Sequence, residues 1–147
     1  MGAAKFMIKP LLTLGALLGL AASAGAAIWT GGGADNLWST ADNWSAPLAS
    51  PDTLTFAGGA RLASSNDLAD FTALGITFDA AAGAFVLDGN AVILSGDITF
   101  SDNPPSLVTQ TINLPLTPTG NVVVDLRTNG NITINGDITG ANTELTQ

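Results

Sequence analysis

The chain contains nearly the same short segment twice. Ser-Gly-Asp-Ile-Thr occupies Ser95–Thr99, and Asn-Gly-Asp-Ile-Thr occupies Asn135–Thr139. Each copy follows an alternating apolar stretch, 92–94 and 132–134. Short strands separated by Gly, Asn and Asp turns, and repeated along the chain, are typical of stacked β architectures. Such strands are too short to be stable alone, so they must bury their apolar faces against neighbouring repeats.

We therefore predict an all-β fold, a right-handed parallel β-helix (solenoid) in which Val, Ile, Leu and Phe point inward and Thr, Asn and Asp point outward. The competing fold is an antiparallel β-sandwich, which the hairpin-like turn Asp88-Gly89-Asn90 favours.

The N-terminal segment 1–26 is typical of a secretory signal peptide, helical in the precursor. Lys5 and Lys9 supply the positive charge, a leucine-rich run follows, and Ala24-Gly25-Ala26 supplies a small-residue cleavage site. The alternative is an uncleaved anchor, but the run is short for a membrane span. We expect an exported chain with no membrane span after removal of the signal.

The remaining chain divides into a Trp-rich N-terminal cap, 27–60, and β-helix coils, 61–147. Within the coils we predict a polar connector over 61–70, an inward-facing Leu74, and one long strand over 107–116. The chain stops at Gln147 without a capping signal, so we expect the repeat array to be truncated there.

Trp29, Trp38 and Trp44 are the only tryptophans in the chain. They lie among Gly, Asp and Asn residues, including the turn 31–33. We expect the three indoles to pack inward. The functional alternative is a face on which sugar rings stack, which would make the chain a carbohydrate-binding module.

Composition restricts the chemistry. The chain has no Cys and no His, so the common metal-ligand sets and the His- or Cys-dependent catalytic groups are missing. Twelve acidic residues face four basic ones, which disfavours binding to nucleic acid. We predict no cofactor.

The turn aspartates Asp88, Asp97, Asp125 and Asp137 offer two further hypotheses. Stacked on neighbouring coils, they would provide oxygen ligands for Ca²⁺, but we expect them instead to cap turns by accepting hydrogen bonds from nearby backbone N–H groups. Paired carboxylates would serve a glycoside hydrolase, and a lyase would need Arg61 or Arg127 as its base. We expect Arg127 to pair with a neighbouring acid and the protein not to be an enzyme.

Several segments, in order, resemble the N-terminal region of autotransporter-associated β-strand repeat proteins. They are the Trp-rich stretch 29–45, Asn66–Leu68, Gly75–Asp79, Phe85–Asn90 and Ile132–Thr139. Members of that family are large secreted or surface-bound β-helical passengers of Gram-negative bacteria. The resemblance implies a structural or adhesive protein, secreted or on the outer cell surface, whose partners are extracellular polysaccharide or other cell-surface molecules.

Overall fold

The structure, a computed structural model, describes residues 26–140 and 145–146. In order, its strands are β1 (Ala26–Trp29), β2 (Asp52–Phe56), β3 (Ala63–Asn66), β4 (Phe71–Phe78), β5 (Val86–Gly89), β6 (Val92–Leu94), β7 (Ile98–Phe100), β8 (Val108–Ile112), β9 (Leu116–Pro118), β10 (Val122–Asp125), β11 (Gly130–Ile134) and β12 (Leu145–Thr146). A single 3₁₀ turn covers Ala41–Asn43 in the described ranges. Residues 1–25 of the expected signal peptide lie outside them, and Ala26 is the first residue of β1. Among the described residues, no helix has the length and apolar character needed to cross a membrane.

Parallel pairing organises all of these strands. One sheet, sheet A, runs in the order β1-β2-β4-β7-β10-β12, with β6 pairing both β4 and β9. Sheet B runs β11-β8-β5-β3. Val92 pairs in parallel with Phe71 and with Leu116, and Ile132 pairs in parallel with Gln110. The strands stack as a solenoid of about four turns, so the predicted parallel β-helix is confirmed and the antiparallel sandwich is wrong.

One coil is shorter than the spacing between the two similar segments of the sequence. Leu54 pairs with Ile76, Ile76 with Ile98, and Ile98 with Val124, so the coils are 22, 22 and 26 residues long, whereas the similar segments are 40 residues apart. Ile98 therefore lies in the column of β4 and β7, whereas Ile138 bridges to Leu116, in the column of β6 and β9. The repeated segment marks two different corners of the solenoid, and its spacing is not the period of the coils.

The two Gly-Asp corners share a local requirement, which explains their similar sequences. A β-carbon at Gly96 would overlap the carbonyl oxygen of Leu74, and one at Gly136 would overlap that of Leu114. In both cases the glycine lies against the backbone of the preceding coil. Only a residue without a β-carbon allows successive coils to approach so closely.

A column of aromatic rings forms part of the core. Phe56, Phe78 and Phe100 are fully buried and stack from coil to coil, with ring centroids 5.7 and 5.8 Å apart. Each buried aliphatic or aromatic side chain contributes about 1.5–3 kcal/mol relative to an exposed one. Since each coil supplies several, burial along this column stabilises strands that are individually too short.

Three details of the predicted elements are wrong. Leu74 is 41% exposed, because the register shifts between the pairs Asp52–Ala73 and Thr53–Gly75 and leaves Leu74 as the extra residue that points outward. The predicted connector 61–70 contains β3, whose polar side chains Ser64 and Asn66 are buried. The predicted strand 107–116 is divided into β8 and β9, which lie in different sheets.

The N-terminal end of the solenoid is covered by its own loop. Along β1, the Thr30 N–H donates to the carbonyl of Asn43 at 2.7 Å and the Ser45 N–H to that of Ile28 at 2.8 Å. Along β3, the Ser65 N–H donates to the carbonyl of Asn36 at 2.8 Å, and Ser65 accepts the N–H of Trp38. The Trp-rich segment thus covers the first edge of both sheets.

Candidate functional site: the tryptophan cap

The three indoles proposed as a stacking site lie inside the protein. Trp29, Trp38 and Trp44 are 0%, 1% and 5% exposed. Trp44 contacts both other indoles edge to face, with ring centroids 5.1 Å from Trp29 and 6.0 Å from Trp38, and Phe56 lies within 6.2 Å of all three. The expectation that they pack inward is confirmed. None of the three presents a ring face on which a sugar could stack.

Two of the three indole N–H groups have hydrogen-bond partners. The Nε1 of Trp44 donates to the carbonyl of Trp38 at 2.9 Å, and the Nε1 of Trp38 donates to the Oγ of Ser64 at 3.3 Å. The Nε1 of Trp29 is buried and has no partner among the described residues. The bond to Ser64 ties the cap to β3 of the next coil.

Asn43 organises the turn that holds the indoles. It is fully buried; its Nδ2 donates to the carbonyl of Leu37 at 2.9 Å, and its Oδ1 accepts the N–H of Gly33 at 2.9 Å. A β-carbon at Gly33 would overlap that same Oδ1. The last glycine of the run is therefore needed for this contact.

Two carboxylates accept hydrogen bonds from the backbone and hydroxyl groups of the cap loop. Asp35 accepts the N–H of Leu37 at 3.0 Å and the hydroxyl of Thr40 at 3.0 Å. These bonds, that from Leu37 foremost, hold the pKa of the Asp35 carboxyl below its ordinary value. Burial acts to raise the pKa of Asp67, but the N–H and hydroxyl of Ser39 both donate to that carboxylate, and the net effect is a lowered pKa.

The four turn aspartates do not form the carboxylate stack that the calcium hypothesis requires. Asp88 lies in sheet B and accepts the Nδ2 of Asn113 at 2.8 Å. On sheet A, the Oδ1 of Asp97 accepts the N–H of Val123 at 2.9 Å, so Asp97 faces a valine and not Asp125. In the part of the chain that the structure describes, no three His, Cys, Asp or Glu side chains converge on a position for a metal ion.

Both arginines of the coils make structural contacts. Arg127 forms an ion pair with Asp125 at 3.4 Å, as predicted. The Nε of Arg61 donates to the carbonyl of Gly31 at 3.1 Å and so fastens the cap loop from outside. Neither contact resembles a base placed beside a substrate cleft.

A shallow pocket of about 240 Å³ lies at the corner between sheets A and B. Its lining residues are small or apolar, none ionisable: Ala80, Ala81, Ala82, Gly83, Pro104, Pro105, Ser106, Leu107 and Val108. It therefore offers shape but no acid, base or charged ligand group.

The sequence prediction missed the side-chain hydrogen bonds that join successive coils. Gln110 is fully buried; its Oε1 accepts the N–H of Phe85 at 2.7 Å and its Nε2 donates to the carbonyl of Gly83 at 3.0 Å. On the outer surface the Nδ2 of Asn135 donates to Asn113 at 2.9 Å, and Asn113 donates to Asp88. A search for polar residues that recur once per coil would have found this Asp88–Asn113–Asn135 ladder.

Comparison of the chain with protein-family models, with curated proteins and with solved structures finds no match.

Proposed function

We propose that this chain is an exported, non-catalytic β-helical scaffold, structural or adhesive in role, that is secreted or displayed on the outer cell surface. The observation that carries the proposal is the Asp88–Asn113–Asn135 ladder, in which outward polar side chains bond from one coil to the next. Hydrogen bonds between outward side chains stabilise the stack of coils, as a structural scaffold requires. The resemblance to passenger β-helices and the leader-like segment 1–26 support the same function.

The acidic surface suits a protein that works outside the cell. The full chain carries a formal charge of −8, and both lysines lie in the expected leader, so the exported part is more negative still. Such a charge keeps long solenoids soluble and mutually repelling.

We further propose that adhesion uses the outer face of sheet A. Thr55, Thr77 and Thr99 lie in register on three successive strands. The partly exposed aliphatic side chains of Leu74 and Val123 lie on strands of the same sheet. The next position in register after Thr99 is Asp125, which is paired with Arg127 at 3.4 Å. A face of threonine hydroxyls and aliphatic groups with this one ion pair at its end fits extracellular polysaccharide or another cell-surface molecule. It does not use the indoles, whose burial leaves the carbohydrate-binding alternative without its stacking groups.

Export is tested by expressing the full chain with a C-terminal epitope tag. We expect mass spectrometry of the secreted or surface-bound protein to find a mature N-terminus next to Ala26, and protease treatment of intact cells to remove the tag. The control is the double variant Leu14→Arg and Leu17→Arg, which interrupts the apolar run and should keep the tag inside the cell. Recovery of the unmodified chain only from the cytoplasm, beginning at Met1, would contradict the proposal.

Adhesion is tested separately on a polysaccharide array. Thr77→Glu places a charge in the middle of the proposed face and should abolish retention, whereas Thr111→Glu, on sheet B, should leave it unchanged. Equal retention of both variants would remove sheet A from the proposal, and release of reducing sugar from pectin or alginate would replace it with an enzymatic function.

A further inference from the structure

The outer edge of β11 has backbone groups directed away from the rest of sheet B. On its inner side, β11 bonds to β8: Asn129 accepts the N–H of Val108 at 3.1 Å and the Asn135 N–H donates to Ile112 at 2.8 Å. Because successive residues of a strand alternate the side to which their peptide groups point, the N–H and C=O of Gly130, Ile132 and Ile134 point the other way. Within residues 26–140 and 145–146, no strand pairs with that side.

The inward side chains of β11 are less buried than the side chains they pair with in β8, one coil earlier. Ile132 pairs with Gln110 and Ile134 with Ile112, and both residues of β8 are fully buried. Ile132 and Ile134 pack against the same core but are only half-buried. One further layer would bury them as the β11 layer buries β8.

The polar ladder on the outer surface ends at the same strand. Asn135 uses its Nδ2 to donate to Asn113, and no described residue donates to its Oδ1. The group that would continue the ladder is therefore a hydrogen-bond donor.

On the neighbouring face, the next layer is already present. β12 lies parallel on β10, with Leu145 opposite Val122 and Thr146 opposite Val123. A strand on β11 would continue that layer around the corner. At the opposite end of the solenoid the cap loop covers the edges of both β1 and β3, so the two ends differ.

We propose that the outer edge of β11 is a binding site for one extended strand, parallel to β11, with aliphatic residues over Ile132 and Ile134 and an Asn or Gln over Asn135. The main-chain groups of Gly130, Ile132 and Ile134 supply the hydrogen bonds, as in other cases of strand addition to a sheet edge. The side-chain pattern supplies the register. This inference is independent of export and of adhesion.

The test adds such a strand to the full chain. Val122 and Val123 lie opposite Leu145 and Thr146. A copy of residues 125–140 appended to the C terminus is designed to keep this register, which would place its first glycine over Gly130. The control tail is identical except that two of its three copied isoleucines, those of positions 132 and 134, are aspartates. A tether also raises the effective concentration of the added strand.

The readout is amide hydrogen exchange, residue by residue. With the copied tail we expect exchange at Ile132 and Ile134 to slow by at least about tenfold, with no slowing by the control tail. Asn131 and Thr133, which bond to β8, should be protected in every variant. Equal exchange at Ile132 and Ile134 with either tail would overturn the proposal. Protection of those amides in the unextended chain, together with a dimer in light scattering, would also overturn it, because a second copy would then occupy the edge.

Discussion

The carboxylate of Asp97 accepts the backbone N–H of Val123 at 2.9 Å, across the boundary between two successive coils. The carbonyl of the same residue accepts the N–H of Ile76, from the preceding coil, at 3.0 Å. One turn residue therefore joins three layers of the solenoid.

Replacing that carboxylate should weaken the stack. We expect Asp97→Ala to lower the free energy of unfolding by about 1 kcal/mol, since the Val123 N–H loses an acceptor on a surface where water replaces it in part. Urea denaturation followed by circular dichroism measures the change. Asp42→Ala is the matched control, because that carboxylate accepts no hydrogen bond from the described residues, and it should stay within about 0.5 kcal/mol of the parent chain. An equal loss in both variants would show that the bond to Val123 contributes nothing.

The buried amide of Gln110 should matter more. Gln110→Leu leaves the N–H of Phe85 and the carbonyl of Gly83 without partners inside the core, so we expect a loss of about 2–3 kcal/mol in the free energy of unfolding. Thr111→Val, at the next and outward-facing position, should change stability by less than about 0.5 kcal/mol. If Gln110→Leu were as stable as the parent chain, Gln110 would have no role in joining coils.

The tryptophans provide a matched pair within one cluster. Trp44→Phe and Trp29→Phe remove similar volumes, but of these two indoles only that of Trp44 donates a hydrogen bond within the described residues, to Trp38. We expect Trp44→Phe to cost about 1 kcal/mol more than Trp29→Phe, because the carbonyl of Trp38 becomes unsatisfied. Thermal denaturation of both variants measures the difference; the reverse order would place the important contact at Trp29.

Acid should loosen the cap. The pKa values of Asp35 and Asp67 are lower in the folded state than the ordinary value of 3.8. Their contribution to stability is therefore complete above the unfolded-state pKa and is lost as the pH falls through the folded-state pKa. We expect the urea midpoint to fall between about pH 6 and about pH 3, and to fall less in Asp67→Asn.

Ser39→Ala supplies the second arm of that experiment. It removes the hydroxyl that donates to Asp67, so it should reduce the pH dependence in the same direction without removing the carboxylate. Combining it with Asp67→Asn should add little further effect, because the two residues act through one contact. Identical pH dependence in the parent and all three variants would remove Asp67 from the explanation.

Short alternating strands and glycine-containing corners were enough to predict the class of fold. Leu54, Ile76 and Ile98 alternate with polar residues, and a strand buried on one face must show that period of two. The coil length was not predictable from the clearest sequence repeat. Gly96 and Gly136 both lie against the backbone of the preceding coil, but they do so at different corners of the solenoid. Close backbone approach selects glycine at both corners, so similarity between corners does not reveal which corners are equivalent.

Buried polar positions were hidden for a different reason. Ser64, Asn66 and Gln110 resemble loop or surface residues, and their burial depends on partners from other coils or from the cap. For Leu74 the error is the opposite one: the side chain was predicted to be buried, but a register shift turns it outward. At the cap, indoles beside Gly, Asp and Asn are compatible with a packed cluster or an exposed platform, and only the positions of Phe56 and Phe71 distinguish the two.

The coverage of β1 and β3 by the tryptophan loop has a consequence for polymerisation. If unpaired strand edges were exposed at both ends of the solenoid, molecules could associate head to tail into fibres of unlimited length. At the N-terminal end, the edges of β1 and β3 are already covered by main-chain hydrogen bonds to Asn36, Trp38, Asn43 and Ser45. Within the described residues, strand addition is therefore restricted to the β11 end, and a head-to-tail contact between copies finds no free strand edge at the cap end.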